Sequence, residues 1–260
     1  MHNATPRTVL ATDLDGTFLG GSAAQREALY GWIAQRRDEI VLIFVSGRGI
    51  DFMRELADTL PLRPDHLVGD VGTSVACGPG YEPLPAVERW LDAAWPADAH
   101  ELIGETMRRH PALREQPVVG GRRRSYYYED AALALAARHE LVALGFDVLM
   151  SDDLYFDVLP PGVQKGSTLA RTLAELGLPT HRTLVAGDTL NDLSMFDTGF
   201  TGVAVGNREP ALDAAIRAHA NVYCSSLPGA AGVLEALRHF HRMEERHGLI
   251  PGHRLSPAAL

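Results

Sequence analysis

The sequence has 260 residues, which is enough for one large domain or for a core domain that carries a second unit. Hydrophobic residues make up 46% and charged residues 22%, a composition that excludes a disordered or fibrous chain and is typical of a soluble globular protein. The formal net charge of −9 argues against nucleic acid and anionic membranes as partners, so an anionic ligand would need a local cationic or metal site.

No part of the sequence approaches the roughly 20 apolar residues of a membrane span, and the first seven residues are too short and polar for a secretory signal. We therefore expect a cytoplasmic monomer that does not bind membranes. The cysteines, Cys77 and Cys224, are far apart and lack metal-ligand spacing, which favours free thiols over a disulfide or a zinc site.

Apolar runs bounded by turn residues predict buried parallel strands, and segments with helical periodicity lie between them. The strands are predicted at residues 9–14, 40–45, 66–68, 183–186 and 202–205, and the helices at residues 23–37, 50–60, 167–176, 210–219 and 230–246. The tail from Gly248 is expected to be frayed. This alternation predicts an α/β fold with a doubly wound, Rossmann-like parallel sheet, which binds ligands beyond the carboxyl ends of its strands.

Residues 84–160, called the insert below, interrupt this alternation. They contain a helix rich in Trp and Ala, a basic and aromatic run at residues 122–128, a helix near residues 131–144 and a strand at residues 155–159. Prolines at both ends indicate stiff, non-helical linkers; they are Pro83, Pro85, Pro160 and Pro161. The sequence therefore predicts a core of residues 1–83 and 161–260 with an inserted α+β domain of residues 84–160.

The first predicted strand runs into D-L-D-G-T, which places Asp13 and Asp15 at its carboxyl end. Carboxylates this close repel each other unless a cation joins them. An ordinary Asp-Gly turn is the alternative, but the five-residue pattern would arise by chance in about one chain in several hundred of this length. The position at the end of the first strand favours a functional site.

Polar residues also follow the later strands. Ser46 and Gly47 come after the second strand and have donors suited to a phosphate, although a simple Ser-Gly turn is the more frequent reading of this pair alone. Lys165 starts a helix beyond the insert, where unpaired backbone donors suit an anion. The strand that follows ends in G-D-T-L-N-D, with Asp188 and Asp192 as possible oxygen ligands or, alternatively, as a helix cap.

Taken together, these four strand ends resemble the four motifs of the haloacid dehalogenase-like phosphatase superfamily over residues 9–207. The resemblance implies that Asp13 is the nucleophile, that Asp15 is the general acid and base, and that Lys165 assists catalysis. It implies a phosphate site made of Thr17, Ser46, Gly47, Lys165 and Asn191. It also implies a Mg²⁺ site made of Asp13, Asp15, Asp188 and Asp192. The insert is similar to the cap of the subclass that includes sucrose-phosphate phosphatase.

Within the insert, the run at residues 122–128 would, as a strand, place Arg123, Ser125 and Tyr127 on one face. We expect this face, together with Ser151 and Asp152, to contact a hydroxyl-rich ligand. A solvated basic edge strand with aromatic packing explains the same run equally well.

The expected substrate is a small sugar or glycoside phosphate. Residues 68–73, 155–166 and 187–196 resemble phosphatases that complete the synthesis of sucrose, mannosylfructose and glucosylglycerol, and look most like those acting on glucosylglycerol phosphate. Sucrose 6-phosphate and mannosylfructose phosphate are the next choices. A broad-specificity sugar phosphatase and a phosphosugar mutase, which share the same motifs, stay open as alternatives.

Overall fold

The computed structural model describes residues 8–118 and 121–247, with side chains up to residue 242. The tail that was predicted to be frayed, from Gly248, lies outside the described residues. Over the described residues, the helices are either too short or too polar to cross a bilayer.

Strands and helices follow one another along the described chain in the order that the sequence pattern indicates. The strands are β1 (Thr8–Thr12), β2 (Ile40–Val45), β3 (His66–Gly69), β4 (Ser74–Cys77), β5 (Arg114–Glu115), β6 (Arg124–Tyr127), β7 (Asp147–Ser151), β8 (Tyr155–Leu159), β9 (Thr183–Gly187), β10 (Thr201–Ala204) and β11 (Val222–Cys224). The helices are α1 (Ala23–Ala34), α2 (Ile50–Thr59), α3 (Pro85–Ala94), α4 (Ala99–Met107), α5 (Ala131–Ala143), α6 (Lys165–Glu175), α7 (Leu193–Asp197), α8 (Pro210–Ala215) and α9 (Gly229–His247).

The larger sheet has seven strands in the order β11-β10-β9-β1-β2-β3-β4. All neighbours pair in parallel except β3 and β4, which are antiparallel. β1 and β2 are buried along their whole length because helices cover both faces of the sheet, which explains their unbroken apolar sequences. One apolar cluster, around Leu10 and Phe44, lies on one face, and a second, around Val9 and Phe196, lies on the other. The predicted doubly wound α/β fold is therefore confirmed.

Several predicted boundaries were wrong. β1 ends at Thr12 instead of residue 14, because the chain turns sharply after Asp13, and α1 ends at Ala34 instead of residue 37. The helix expected at residues 210–219 is α8 followed by a 3-10 turn. β4 and β11 were not predicted.

The insert contributes a second sheet of four antiparallel strands in the order β5-β6-β8-β7. α4 and α5 pack on it around a separate apolar cluster that includes Phe156 and Tyr126. The single Trp- and Ala-rich helix of the prediction is in fact two helices, α3 and α4. The carboxyl ends of β1, β2 and β9 lie beside one another in the larger sheet, so the polar residues that follow these strands meet at one edge.

Candidate active site

The turn after β1 carries the first two acids of the site. The Asp13 amide donates to the carbonyl of Ala186 at 2.9 Å, which ties the turn to β9. Gly16 has a φ of +79°, and a Cβ at this position would lie 2.1 Å from Oδ2 of Asp188. Only glycine permits both this backbone conformation and so close an approach to a carboxylate, which explains the Asp-Gly pair in the motif.

Lys165, at the start of α6, is fully buried beneath this turn. Its Nζ donates to Oδ1 of Asp13 at 2.7 Å, to Oδ1 of Asp192 at 2.6 Å and to the side-chain oxygen of Asn191. Burial alone would lower the pKa of Lys165, but the carboxylates of Asp13 and Asp192 outweigh it and raise that pKa above its ordinary value. The ammonium therefore stays charged.

The loop after β9 places two further carboxylates beside Asp13. Oδ2 of Asp192 accepts hydrogen bonds from the amides of Asp188 and Thr189, at 2.9 and 3.0 Å, and thereby fixes the loop. Oδ1 of Asp188 accepts from the hydroxyl of Thr17 at 2.6 Å, and Oδ2 accepts from Asn207 at 3.1 Å. Asp188 is thus oriented by two side chains from other parts of the core.

Asp13, Asp188 and Asp192 each offer a carboxylate oxygen within 4.8 Å of the other two, and all three are buried. Burial raises the pKa of Asp13 well above its usual value, although Lys165 acts in the opposite direction. Burial, and then the charge of Asp192, raise the pKa of Asp188 to about 7. Three buried carboxylates against one ammonium leave an excess of negative charge, and hard oxygen donors in this arrangement fit a divalent cation such as Mg²⁺.

The Asp15 carboxylate is not part of this group. It pairs with the guanidinium of Arg48, whose Nε and Nη2 lie 2.8 and 3.2 Å from its two oxygens. Asp15 is more than half exposed, so its side chain faces the cleft above the turn. The sequence reasoning missed Arg48, although its position directly after Ser46 and Gly47 at a strand end was the available signal.

A cavity of about 460 Å³ joins these core residues to the insert. Predicted site residues on its lining are Asp13, Asp15, Ser46, Gly47, Asp188 and Asn191 from the core and Arg123, Tyr127, Ser151 and Asp152 from the insert. Four other predicted residues, Thr17, Ser125, Lys165 and Asp192, are buried beneath the lining. Ser125 donates its hydroxyl to Asp157, and Thr17 donates to Asp188, so neither hydroxyl points into the cavity.

The alternation predicted for residues 122–128 agrees with the burial of its side chains. Tyr126 and Tyr128 pack in the apolar cluster of the insert, whereas Arg123 and Tyr127 line the cavity. Arg123 also contacts the core, since its Nη1 donates to the carbonyl of Gly47 at 3.1 Å and its Nη2 to Asp70 at 2.9 Å. The insert is therefore bonded directly to the loop after β2.

Tyr155 and Asp157, also on the lining, were missed by the sequence reasoning. Both lie on β8, where Tyr155 pairs with Tyr127 and Asp157 pairs with Ser125 of β6. The two tyrosine ring centroids are 5.9 Å apart. Alternation within residues 155–159 placed both residues on one face, but the pairing of β8 with β6 was not visible in the sequence.

The doubly wound core, the acid pair after β1, the buried lysine and the acidic loop after β9 form the arrangement that the resemblance to the haloacid dehalogenase-like phosphatases implied, and that resemblance is confirmed. The model of the sucrose-6F-phosphate phosphohydrolase family matches residues 6–241, so the chain belongs to that family.

The chain is also similar to individual known proteins, of which one is named a synthase and one a phosphatase. The chain is 42% identical over 238 residues to a glucosylglycerol-phosphate synthase of Pseudomonas anguilliseptica, a match that covers 89% of this chain and 30% of that protein. It is 32% identical over 244 residues to the mannosylfructose-phosphate phosphatase of Agrobacterium fabrum, covering 90% of this chain and 97% of the relative. The chain thus spans less than a third of the first relative and nearly all of the second.

Among solved structures, the sucrose-phosphatase of Synechocystis in complex with sucrose and phosphate has the same fold. The TM-score is 0.82 at 24% identity, and the match covers 91% of this chain and 99% of that one.

Proposed function

We propose that this protein is a Mg²⁺-dependent phosphatase that hydrolyses phosphorylated glycosides through a phospho-aspartate at Asp13. The observation that carries the proposal is that Asp13 shares one cavity with the aromatic and polar side chains of the insert. The Asp13 carboxylate and the sugar-binding surface of the insert can therefore contact the same substrate molecule. We further propose that residues 1–83 and 161–260 form the catalytic core and that residues 84–160 form its cap.

In the first step, a carboxylate oxygen of Asp13 attacks phosphorus while the bond to the sugar oxygen breaks. Asp15 donates a proton to that oxygen, so the sugar leaves as an alcohol. In the second step, Asp15 takes a proton from water, and the water oxygen attacks phosphorus. The phospho-aspartate then breaks, which releases phosphate and restores Asp13. In the structure Arg48 donates to both oxygens of Asp15, so this pair must open and Asp15 must take up a proton from solvent before it can donate one to the sugar oxygen.

The phosphate would lie against Ser46, Gly47 and Asn191, which line the cavity next to Asp13. Lys165 contributes charge from below, and one of its three present hydrogen bonds would turn toward a phosphate oxygen. Because the Thr17 hydroxyl donates to Asp188, we assign Thr17 to the support of that carboxylate instead of to phosphate.

Asp13, Asp188 and Asp192 are the residues that would hold Mg²⁺, with the Asp15 carbonyl as the further ligand that the family resemblance implies. When bound, the ion supplies positive charge that reduces the repulsion between Asp13 and an anionic phosphate ester. Asp192, whose oxygens already accept from two amides and Lys165, would also fix the loop that carries Asp188.

Three features of the insert support a glycoside as the leaving group. The rings of Tyr127 and Tyr155 form an aromatic wall on which a sugar ring can pack. The buried hydroxyl of Ser151 has no hydrogen-bond partner among the described residues and is suited to a sugar hydroxyl. Asp157, which also lines the cavity, adds a carboxylate acceptor.

For the individual substrate, we propose glucosylglycerol phosphate, followed by sucrose 6-phosphate and mannosylfructose phosphate. The support is the 42% identity with part of a protein named glucosylglycerol-phosphate synthase and the 32% identity with a mannosylfructose-phosphate phosphatase. That the chain acts as a cytoplasmic monomer stays a prediction from the sequence.

The test compares kcat/KM for glucosylglycerol phosphate, sucrose 6-phosphate, glucose 6-phosphate and glycerol 3-phosphate in the presence of Mg²⁺. We expect both glycoside phosphates to exceed both simple monophosphates, with Asp13→Asn as the inactive control for contaminating phosphatases. If glucose 6-phosphate or glycerol 3-phosphate matches the glycoside phosphates, the glycoside assignment is wrong. If none of the four is hydrolysed, the phosphatase proposal itself fails for these substrates.

A further inference from the structure

Glu209, which directly precedes α8, joins a loop of the core to a loop of the insert. Its Oε1 accepts a hydrogen bond from the amide of Asp152 at 2.7 Å, and its Oε2 accepts one from the amide of Leu190 at 2.8 Å. Asp152 belongs to the hairpin between β7 and β8, and Leu190 lies between Asp188 and Asp192. One carboxylate therefore bridges the hairpin and the acidic loop.

The hairpin turn is built to present the Asp152 amide outward. Asp152 and Asp153 have φ values of +57° and +47°, and the amide of Leu154 closes the turn on the carbonyl of Ser151 at 3.2 Å. Three residues, 152–154, connect the paired Ser151 and Tyr155, and the turn uses the amide of Leu154 and leaves the amide of Asp152 for an acceptor outside the hairpin. Glu209 supplies that acceptor.

The other end of the bridge is equally well held. The Glu209 amide donates to the carbonyl of Asp188 at 2.8 Å, so Glu209 is bonded to the acidic loop through both its main chain and its side chain. Asp152 and Ser151 line the cavity on the insert side, and Asp188 and Asn191 line it on the core side. Glu209 itself is not on the lining, and it would act only through these residues.

We propose that Glu209 is a positioning residue that locks the hairpin of the insert to the acidic loop. The lock keeps the sugar side of the cavity in register with the metal and phosphate side, and this role in the reaction rests on the function proposed above. A carboxylate is required because two amides need two acceptor oxygens. Glutamine offers one oxygen and one NH₂ group, which would face an amide donor without bonding to it.

A second contact makes the effect of losing Glu209 local. Arg123 ties the insert to the core at Gly47 and Asp70, independently of Glu209. In a Glu209→Gln protein the insert should stay attached through Arg123, while the hairpin and the acidic loop move independently of each other.

The test uses Glu209→Gln with Glu235→Gln as the matched control. The Glu235 carboxylate also accepts from two donors, the hydroxyls of Tyr223 and Ser225, but lies outside the cavity lining. Amide hydrogen exchange in the Mg²⁺-loaded proteins should accelerate at least about tenfold at both Asp152 and Leu190 in Glu209→Gln, and not in the control. If Glu209→Gln does not fold, Glu209→Asp, which is one methylene too short to reach both amides, replaces it.

Kinetics then decide whether the lock serves the reaction. We expect kcat/KM for a glycoside phosphate to fall about tenfold in Glu209→Gln, mainly through KM, and that for p-nitrophenyl phosphate, which does not need the hairpin, to fall less than about threefold. The proposal would be overturned if hydrogen exchange were unchanged at either amide, or if it accelerated evenly over the whole chain. It would also be overturned if kcat/KM fell equally for both substrates. If the wild type hydrolyses no glycoside phosphate, the proposed function fails, and the exchange result alone decides the lock.

Discussion

Removing Mg²⁺ is expected to make the stability of this protein fall as pH rises. In the metal-free protein, burial and then Asp192 raise the pKa of Asp188 from 3.8 to about 7. A carboxyl group with a higher pKa in the folded state binds its proton more tightly when folded. The contribution of Asp188 to the free energy of unfolding is therefore fully present below pH 3.8 and is lost as pH rises through about 7.

The magnitude follows from the size of this shift. One pKa unit corresponds to about 1.4 kcal/mol, so the complete loss is on the order of 4 kcal/mol, with roughly 3 kcal/mol of it between pH 5 and pH 8. For a chain of this size, such a loss lowers Tm by on the order of 10 °C. The raised pKa of Asp13 acts in the same direction. A bound Mg²⁺ would take the place of the proton and would remove the penalty.

Thermal unfolding in MgCl₂ and in EDTA, measured from pH 5 to pH 8, tests this reasoning. The difference between the two Tm values should widen as pH rises in the wild type and should widen much less in Asp188→Asn, where the raised pKa of Asp13 is the contribution that is left. Asp51→Asn is the control, because the Asp51 side chain is 82% exposed. A difference that does not depend on pH in the wild type, or that widens as much in Asp188→Asn as in the wild type, would refute the assignment of the metal site to these carboxylates.

Three substitutions provide further tests. Asp13→Asn should fold and form no phospho-enzyme, as measured by mass spectrometry after acid quench, and near-normal turnover would contradict the covalent route. Asp15→Asn should lower kcat for a glycoside phosphate by about 10²–10⁴, and by less for p-nitrophenyl phosphate, whose leaving group needs no proton; equal losses would argue against the acid role. Gly166→Ala should destabilise the fold by about 1–3 kcal/mol in urea, because its Cβ would lie 1.8 Å from the Ser194 carbonyl oxygen, whereas Gly31→Ala, with open space around it, should not.

Much of the core was predictable because its signals are local. Unbroken apolar runs such as β2 require burial on both faces, and the polar residues that follow such runs must lie at the carboxyl edge of a parallel sheet. This pattern predicted that Asp13, Ser46 and Asp188 share one edge of the sheet, and the family resemblance added Lys165, whose hydrogen bonds to Asp13 and Asp192 agree with that site.

Only the tertiary structure decided which hydrogen-bond and ion-pair partners these residues have. Thr17 was predicted to bind phosphate, yet its hydroxyl donates to Asp188, a residue 171 positions away in the chain. Arg48 pairs with Asp15 because β1 and β2 are adjacent, and Tyr155 faces Tyr127 because β8 pairs with β6. Periodicity along one strand determines which face of the sheet a side chain occupies. The choice of paired strands and their register depends on the packing of the whole chain. This pairing determines which side chains line the cavity, so the lining could not be read from the sequence.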